Sequence, residues 1–222
     1  MPVLLGTSAS SCFWSIQFEG APWGLDLSAR AGRCSLRTMR VEMHVAEEAG
    51  KQGLRFPPAE DYVELRGNPA GALGIPTAVE NLPLRNVLDS VNAPESMFAS
   101  FGASASEVPA EASAASPGVF RSRVTLVYSE LALNAQRDLY EQLAVQLAGL
   151  LLRESGDSLS CDLEVARCTF AGGDGQCLRV TLTARAANME QARLRWGLGL
   201  ARVQQALLYC SRQMRQKMGA GA

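Results

Sequence analysis

A helical leucine repeat between Asn134 and Arg153 constrains the fold more than any other stretch of this 222-residue chain. Its leucines recur at steps of three and four residues, which places them on one face of an α-helix. They are Leu139, Leu143, Leu147 and Leu150. Asn134 is expected to cap the start of this helix through its side-chain oxygen, and the helix is expected to end near Arg153, shortly before Gly156. A helix with one apolar face must bury that face against a second layer of structure.

Three strands and a second helix accompany this repeat. Apolar and polar residues alternate over 120–128, 159–165 and 178–185, and a period of two is typical of strands with one buried face. A second long helix is predicted from Asn188, which fits a capping box with Gln191. The order β-α-β-β-α predicts an α+β fold: a two-layer sandwich in which both helices lie on one face of a mainly antiparallel sheet.

The sequence predicts three parts. Residues 1–92 are expected to be β-rich and loop-rich, and a period-two pattern from Leu36 to Val45 predicts a strand that places His44 on its polar face. Residues 93–118 consist mainly of Ala, Ser, Pro, Gly and Glu. They are predicted to be a flexible linker, because this composition cannot bury enough apolar area to offset the entropy of ordering. Residues 119–218 form the predicted βαββα domain.

The charge is small overall but unevenly divided. The formal net charge of −1 predicts no global attraction to nucleic acid or to a membrane surface. The first 118 residues carry 8 basic and 13 acidic side chains, and the remainder carries 13 and 9. This asymmetry leaves two interpretations open: two lobes that attract each other, or a mildly basic C-terminal surface.

The sequence contains no recognisable catalytic or metal-binding motif. Its six cysteines form no CxxC pair, and its one histidine, His44, is far from them in the sequence, so the spacing of a zinc site is absent. The motifs GxSxG and HExxH and the P-loop are absent as well. We therefore predict no catalytic residue, no metal and no cofactor, and we expect the cysteines to be buried free thiols.

Two cysteines form a candidate thiol pair. Cys168 and Cys177 lie on either side of a glycine-rich stretch that is typical of a hairpin turn. If the turn lies at Gly172-Gly173, Cys168 faces Cys177 across the hairpin, close enough to pair or react. If it lies at Asp174-Gly175, the two cysteines separate.

Two surfaces are candidates for binding another chain. The open face of the sheet should carry three arginines: Arg123, Arg179 and Arg185. Phe170 is its one aromatic residue, so the pattern does not favour an RNA-binding platform, which uses several stacking aromatics.

The last helix provides the second surface. Besides its core-facing stripe it has a second apolar side, marked by Leu194, Leu198, Ala201 and Leu208. Two apolar sides on one helix imply a second partner, which is either the N-terminal half or another chain. The glycines Gly197 and Gly199 within this helix are expected to allow close packing.

These features predict a soluble protein-interaction subunit, such as an adaptor, an assembly factor or a regulatory subunit, without catalytic activity of its own. Its partner would be another protein chain or a second copy in a homo-oligomer. Two alternatives remain open: a small-molecule enzyme with a site between the two halves, and a weak nucleic-acid-binding module. No apolar run reaches the ~18 residues needed to span a bilayer. We expect a cytoplasmic location, or an organellar one if residues 1–40 are a transit peptide.

Overall fold

The computed structural model describes residues 39–45, 54–56, 63–68, 70–109, 118–152, 158–170 and 173–219. All of them belong to one compact unit. The strands are β1 (Arg40–Val45), β2 (Leu54–Arg55), β3 (Phe98–Glu107), β4 (Gly118–Tyr128), β5 (Leu159–Phe170) and β6 (Gly173–Ala186). The α-helices are α1 (Pro76–Glu80), α2 (Leu82–Val91), α3 (Arg137–Leu151) and α4 (Met189–Gly219). Two short 3₁₀ helices span Gly71–Gly74 and Leu131–Ala135.

The six strands form one mixed sheet. The order is β1-β5-β6-β4-β3, and β2 pairs with β5 beyond the end of β1. The pairs β3–β4, β4–β6 and β5–β6 are antiparallel, whereas β1 and β2 run parallel to β5. The chain passes from β4 through α3 to β5, and β6 then inserts between those two strands.

Both long helices lie on one face of this sheet, as the sequence predicts. Helices α3 and α4 contact each other and the same central strand, β6. Their buried side chains pack in one core cluster with strand residues that project from the same side of the sheet. In β5 these residues are Leu159, Cys161, Leu163 and Val165. The predicted α+β sandwich is therefore confirmed. We call the opposite side, which carries the even-numbered residues of β5, the open face.

Close approach of α4 to the sheet depends on a glycine. A Cβ atom added at Gly199 would lie 2.9 Å from a Leu182 methyl carbon and 3.0 Å from one of Leu159. Gly197 lies against Pro83 of α2, where an added Cβ would come within 3.3 Å of the ring. The predicted packing role of both glycines is confirmed.

Residues 98–107 form a strand, so the predicted linker is wrong in this part. Strand β3 pairs with β4 over its length, with a bulge between Ser100 and Gly102, and Phe98 is fully buried. The composition suggests a linker because small Ala and Ser side chains bury little apolar area. Pairing with β4 nevertheless satisfies the backbone hydrogen-bonding groups of this segment and makes it a strand. Residues 110–117 of the predicted linker lie outside the described part of the chain.

The region before the predicted linker also contributes to the same core. Helix α2 packs against α4 and buries Leu84, Val87, Leu88 and Val91. Met39, which precedes β1, and Leu84 lie in one cluster with Leu207 of α4. Among the described residues, the N-terminal part is therefore not purely β-rich, and it is continuous with the βαββα layers.

The two long helices begin differently from one another. Asn188 caps α4 as predicted, since its Oδ1 accepts a hydrogen bond from the Gln191 N–H at 2.9 Å. Asn134 does not cap α3, which begins at Arg137 without a side-chain cap. Asn134 is instead fully buried in the preceding 3₁₀ helix, where its side chain forms hydrogen bonds within the core.

Candidate interaction surfaces

Helix α4 has an apolar stripe on the side that faces away from the sheet. The side chains that it buries recur at helical spacing: Trp196, Leu200, Val203, Leu207 and Cys210. The opposite side carries Leu194 and Leu198, which are 64% and 41% exposed, and Tyr209, which is 48% exposed. Ala201 is exposed on this side as well, and Leu208 is half-buried. We call these five residues the outer stripe.

The outer stripe ends in opposite charges. Glu190 lies in the first turn of α4 and Arg212 lies beyond Tyr209, and both are exposed. Steps of three and four residues connect them through the stripe, so they lie on the same side of the helix. Arg193 lies on a different side and contacts Glu107 of β3 at 2.9 Å.

Helix α2 carries a further exposed apolar side chain close to its contact with α4. Leu82 is 62% exposed and directly precedes Pro83, which lies against Gly197 of α4. Helices α2 and α4 are further joined by the Gln204 amide, which donates to the Ser90 hydroxyl. Leu82 and the outer stripe therefore belong to two helices that are packed together.

On the open face, two of the three predicted arginines are held by their neighbours. Arg123 donates to the Thr181 hydroxyl at 3.4 Å, and Arg179 is half-buried with its guanidinium 3.1 Å from both oxygens of Glu164. Arg185 is exposed. Arg123 and Arg185 thus remain candidates for contact with another chain, whereas Glu164 already neutralises Arg179.

The two cysteines of the candidate thiol pair lie on the open face, but not directly opposite each other. Phe170 pairs with Gly173, so Cys168 faces Gly175, and Cys177 faces Ala166. A Cβ atom at position 175 would come within 2.7 Å of the Asn134 carbonyl oxygen and of the Phe170 ring. This register is therefore favoured because it puts a glycine where only a glycine fits.

The thiols nevertheless contact each other. The interaction between the two thiols raises the pKa of Cys177, with burial adding to the effect, and lowers that of Cys168. Both cysteines are buried and neither forms a disulfide. A diagonal pair in adjacent strands has Cα atoms about 7–8 Å apart, which is too far for an unstrained disulfide.

Three phenylalanines pack against this thiol pair. Phe56 contacts Phe101 and Phe170, with ring centroids 5.5 Å and 5.6 Å apart. Together with Ala99, Val127 and Ala166, they form a second apolar cluster on the open face. The cluster keeps the two thiols away from water.

A third group, at the edge of the open face, was not predicted. Strand β1 places Glu42 opposite Asp162 of β5, and His44 projects on the same side of β1 as Glu42. Burial, with a further contribution from the charge of Glu42, raises the pKa of the Asp162 carboxyl. The spacing of Glu42 and His44 is visible in the sequence, but the sequence does not reveal which strand lies beside β1.

Comparison with models of known families, with curated proteins and with solved structures found no match. Among the described residues, no helix combines the length and the apolar character needed to cross a bilayer.

Proposed function

We propose that this protein is a non-catalytic interaction subunit that pairs with a second copy of itself through the outer stripe of α4. The observation that carries the proposal is the stripe itself. Leu194, Leu198 and Tyr209 are exposed on a 31-residue helix that already buries its other side against the sheet. An apolar patch that stays in contact with water is a common mark of a protein-binding surface.

The arrangement of the stripe favours an antiparallel partner helix of the same sequence. A two-fold axis near Ala201 would place Leu194 of one copy beside Leu208 and Tyr209 of the other. The small Ala201 side chain at the centre would allow the two helices to approach closely. Such an interface is isologous, since each copy offers the same patch.

The charges at the ends of the stripe support the same direction. With the axis at Ala201, Glu190 of each copy lies opposite Arg212 of the other. A parallel pairing would instead bring together two C-terminal segments that each carry Arg212, Arg215 and Lys217. Like charges repel most strongly at low salt, so the antiparallel arrangement is favoured electrostatically.

This dimer would leave the two sheets on its outer sides. The open faces, with Arg123 and Arg185, would then be accessible to further chains. An assembly or adaptor role follows from that geometry, since one dimer presents two copies of the same face.

The test is the mass of the full-length protein in solution. Size-exclusion chromatography with light scattering should give twice the chain mass of 23.7 kDa. Leu198→Glu should convert the dimer to a monomer, because it places two charges in the apolar contact. Leu131→Glu is the matched control, since Leu131 is 57% exposed but lies in a 3₁₀ helix far along the chain from α4.

Two results would contradict the proposal. A wild-type protein that stays monomeric at tens of micromolar would show that the outer stripe does not bind a second copy. Any segment that covers the outer stripe would then have to belong to another protein or to residues 1–38. A Leu198→Glu variant that remains dimeric would place the interface elsewhere.

A further inference from the structure

Glu42, His44 and Asp162 bring three metal-binding side chains together at one edge of the sheet. One donor atom from each, two carboxylate oxygens and one imidazole nitrogen, lies within 4.8 Å of the others. The parallel pairing of β1 with β5 creates this group, because it sets Glu42 directly opposite Asp162. His44 follows two residues after Glu42 and therefore projects from the same side of β1.

The Glu42 carboxylate is already oriented by its neighbours. One of its oxygens forms an ion pair with the Arg40 guanidinium, and the other lies 3.7 Å from His44 Nε2. An outer partner that holds a ligand carboxylate in place is a regular feature of metal sites. Arg40 therefore fixes one oxygen of Glu42 and leaves the other directed towards the imidazole.

A fourth candidate ligand is excluded by its own ion pair. Glu164 lies opposite His44 in the β1–β5 register. Both of its oxygens are 3.1 Å from the Arg179 guanidinium, which directs the carboxylate towards β6. The group that remains has two carboxylates and one imidazole.

We propose that Glu42, His44 and Asp162 bind a divalent first-row transition metal ion, with zinc as the representative. Mixed nitrogen and oxygen donors suit such ions, whereas calcium and magnesium prefer oxygen alone. Zinc bonds of 2.0–2.2 Å in a tetrahedral site place neighbouring donor atoms about 3.4 Å apart. The 3.7 Å between Glu42 Oε2 and His44 Nε2 is close to that distance, so small side-chain rotations suffice. Water or a donor from another molecule would complete the coordination.

Zinc binding by the full-length protein tests the proposal. Protein treated with a chelator and then dialysed is titrated with zinc by calorimetry, with reducing agent that does not bind zinc. We expect one zinc ion per chain and a rise in melting temperature, since an ion that binds only the folded state stabilises it. His44→Asn, Glu42→Gln and Asp162→Asn should each weaken binding at least about tenfold.

Glu164→Gln is the matched control, because it removes the same charge as Asp162→Asn from the same face of the same strand. Its affinity for zinc should stay within about twofold of the wild type, since the Glu164 carboxylate is not a proposed ligand. Circular dichroism without zinc identifies any variant that fails to fold. The zinc affinities of the variants that do fold, on β1 and β5, then test the proposal.

The cysteines are tested separately with cobalt. Cobalt held by Glu42, His44 and Asp162 should lack the near-ultraviolet absorption band of thiolate coordination. The proposal is overturned if the wild type shows no saturable binding, if the three ligand variants bind as well as Glu164→Gln, or if cobalt shows the thiolate band.

Discussion

The side-chain oxygen of Asn134 accepts a hydrogen bond from the hydroxyl of Tyr140, and both residues are almost completely buried. The same oxygen accepts the backbone N–H of Tyr128 at 2.8 Å, and the Asn134 amide donates back to the Tyr128 carbonyl at 3.0 Å. One side chain thus joins the end of β4 to the first turn of α3.

We expect Asn134→Ala to lower the free energy of unfolding by about 3 kcal/mol, because it removes partners from buried polar groups that each cost ~1–3 kcal/mol when unsatisfied. Tyr140→Phe should cost only about 1 kcal/mol, since Asn134 still accepts the Tyr128 N–H. Urea unfolding followed by fluorescence measures both values. Equal losses in the free energy of unfolding would show that the Asn134 side chain does not accept hydrogen bonds from both Tyr128 and Tyr140.

Asn134 also shows which parts of the fold the sequence can predict. The α3 helix and the strands β4, β5 and β6 are predictable because burial on one side imposes a period on many successive residues. The preference of Asn for helix caps is a local statistic. It was overridden because Tyr128 and Tyr140 provide buried partners that only the folded chain brings together.

Strand β3 and the proposed metal site depend on pairing between distant segments. Small Ala and Ser residues in β3 give little contrast between its two faces, so its sequence resembles a linker although β4 holds it in the sheet. Likewise, Glu42 and His44 gain Asp162 only because β1 lies beside β5. The outer stripe of α4 was predictable from the sequence, because it lies within one helix.

Two glycines in different surroundings should respond oppositely to alanine. An added Cβ at Gly118 would lie 2.2 Å from the backbone carbonyl of Asn188, whereas one at Gly149 meets nothing within 4 Å. Gly149→Ala should raise the free energy of unfolding by about 0.5–1 kcal/mol, because alanine favours the helix interior. Gly118→Ala should lower the free energy of unfolding by about 2 kcal/mol or more, because the backbone at Asn188 or at residue 118 must move to make room for the methyl group. Thermal unfolding of both variants checks the signs, and stabilisation by Gly118→Ala would contradict the close contact.

The buried thiol of Cys161 should make stability depend on alkaline pH. Burial, with a smaller contribution from Asp162, raises the pKa of Cys161 from 9.0 to about 12. Above pH 9 the unfolded chain therefore loses this proton while the folded protein keeps it, so stability falls until the pH reaches the folded pKa. Between pH 7 and pH 10 the wild type should lose about 1.4 kcal/mol more than Cys161→Ala.

The measurement is urea unfolding at several pH values in the presence of a reducing agent. Comparing the change with pH, and not the stability at one pH, removes the cost of the cavity that Cys161→Ala creates. Parallel pH curves for the two proteins would mean that the Cys161 thiol ionises as readily in the folded protein as in the unfolded chain.

Charge reversal at the ends of the outer stripe tests the direction of the proposed dimer. Glu190→Arg alone and Arg212→Glu alone should each replace two attractive contacts across the interface with repulsive ones. At about 1 kcal/mol per contact, each single variant should weaken dimerisation roughly 30-fold at low salt. The double variant Glu190→Arg/Arg212→Glu restores opposite charges in an antiparallel pair, and its dissociation constant should return close to that of the wild type.

Glu130→Arg, which lies outside α4, serves as the control for charge alone. Sedimentation equilibrium at low and high salt measures the constants, and the differences should shrink at high salt because screening weakens exposed ion pairs. Glu190→Arg also opposes the dipole at the start of α4, so circular dichroism must show that the helix is intact. A double variant that dimerises no better than the single variants would exclude the antiparallel register even if the protein is a dimer.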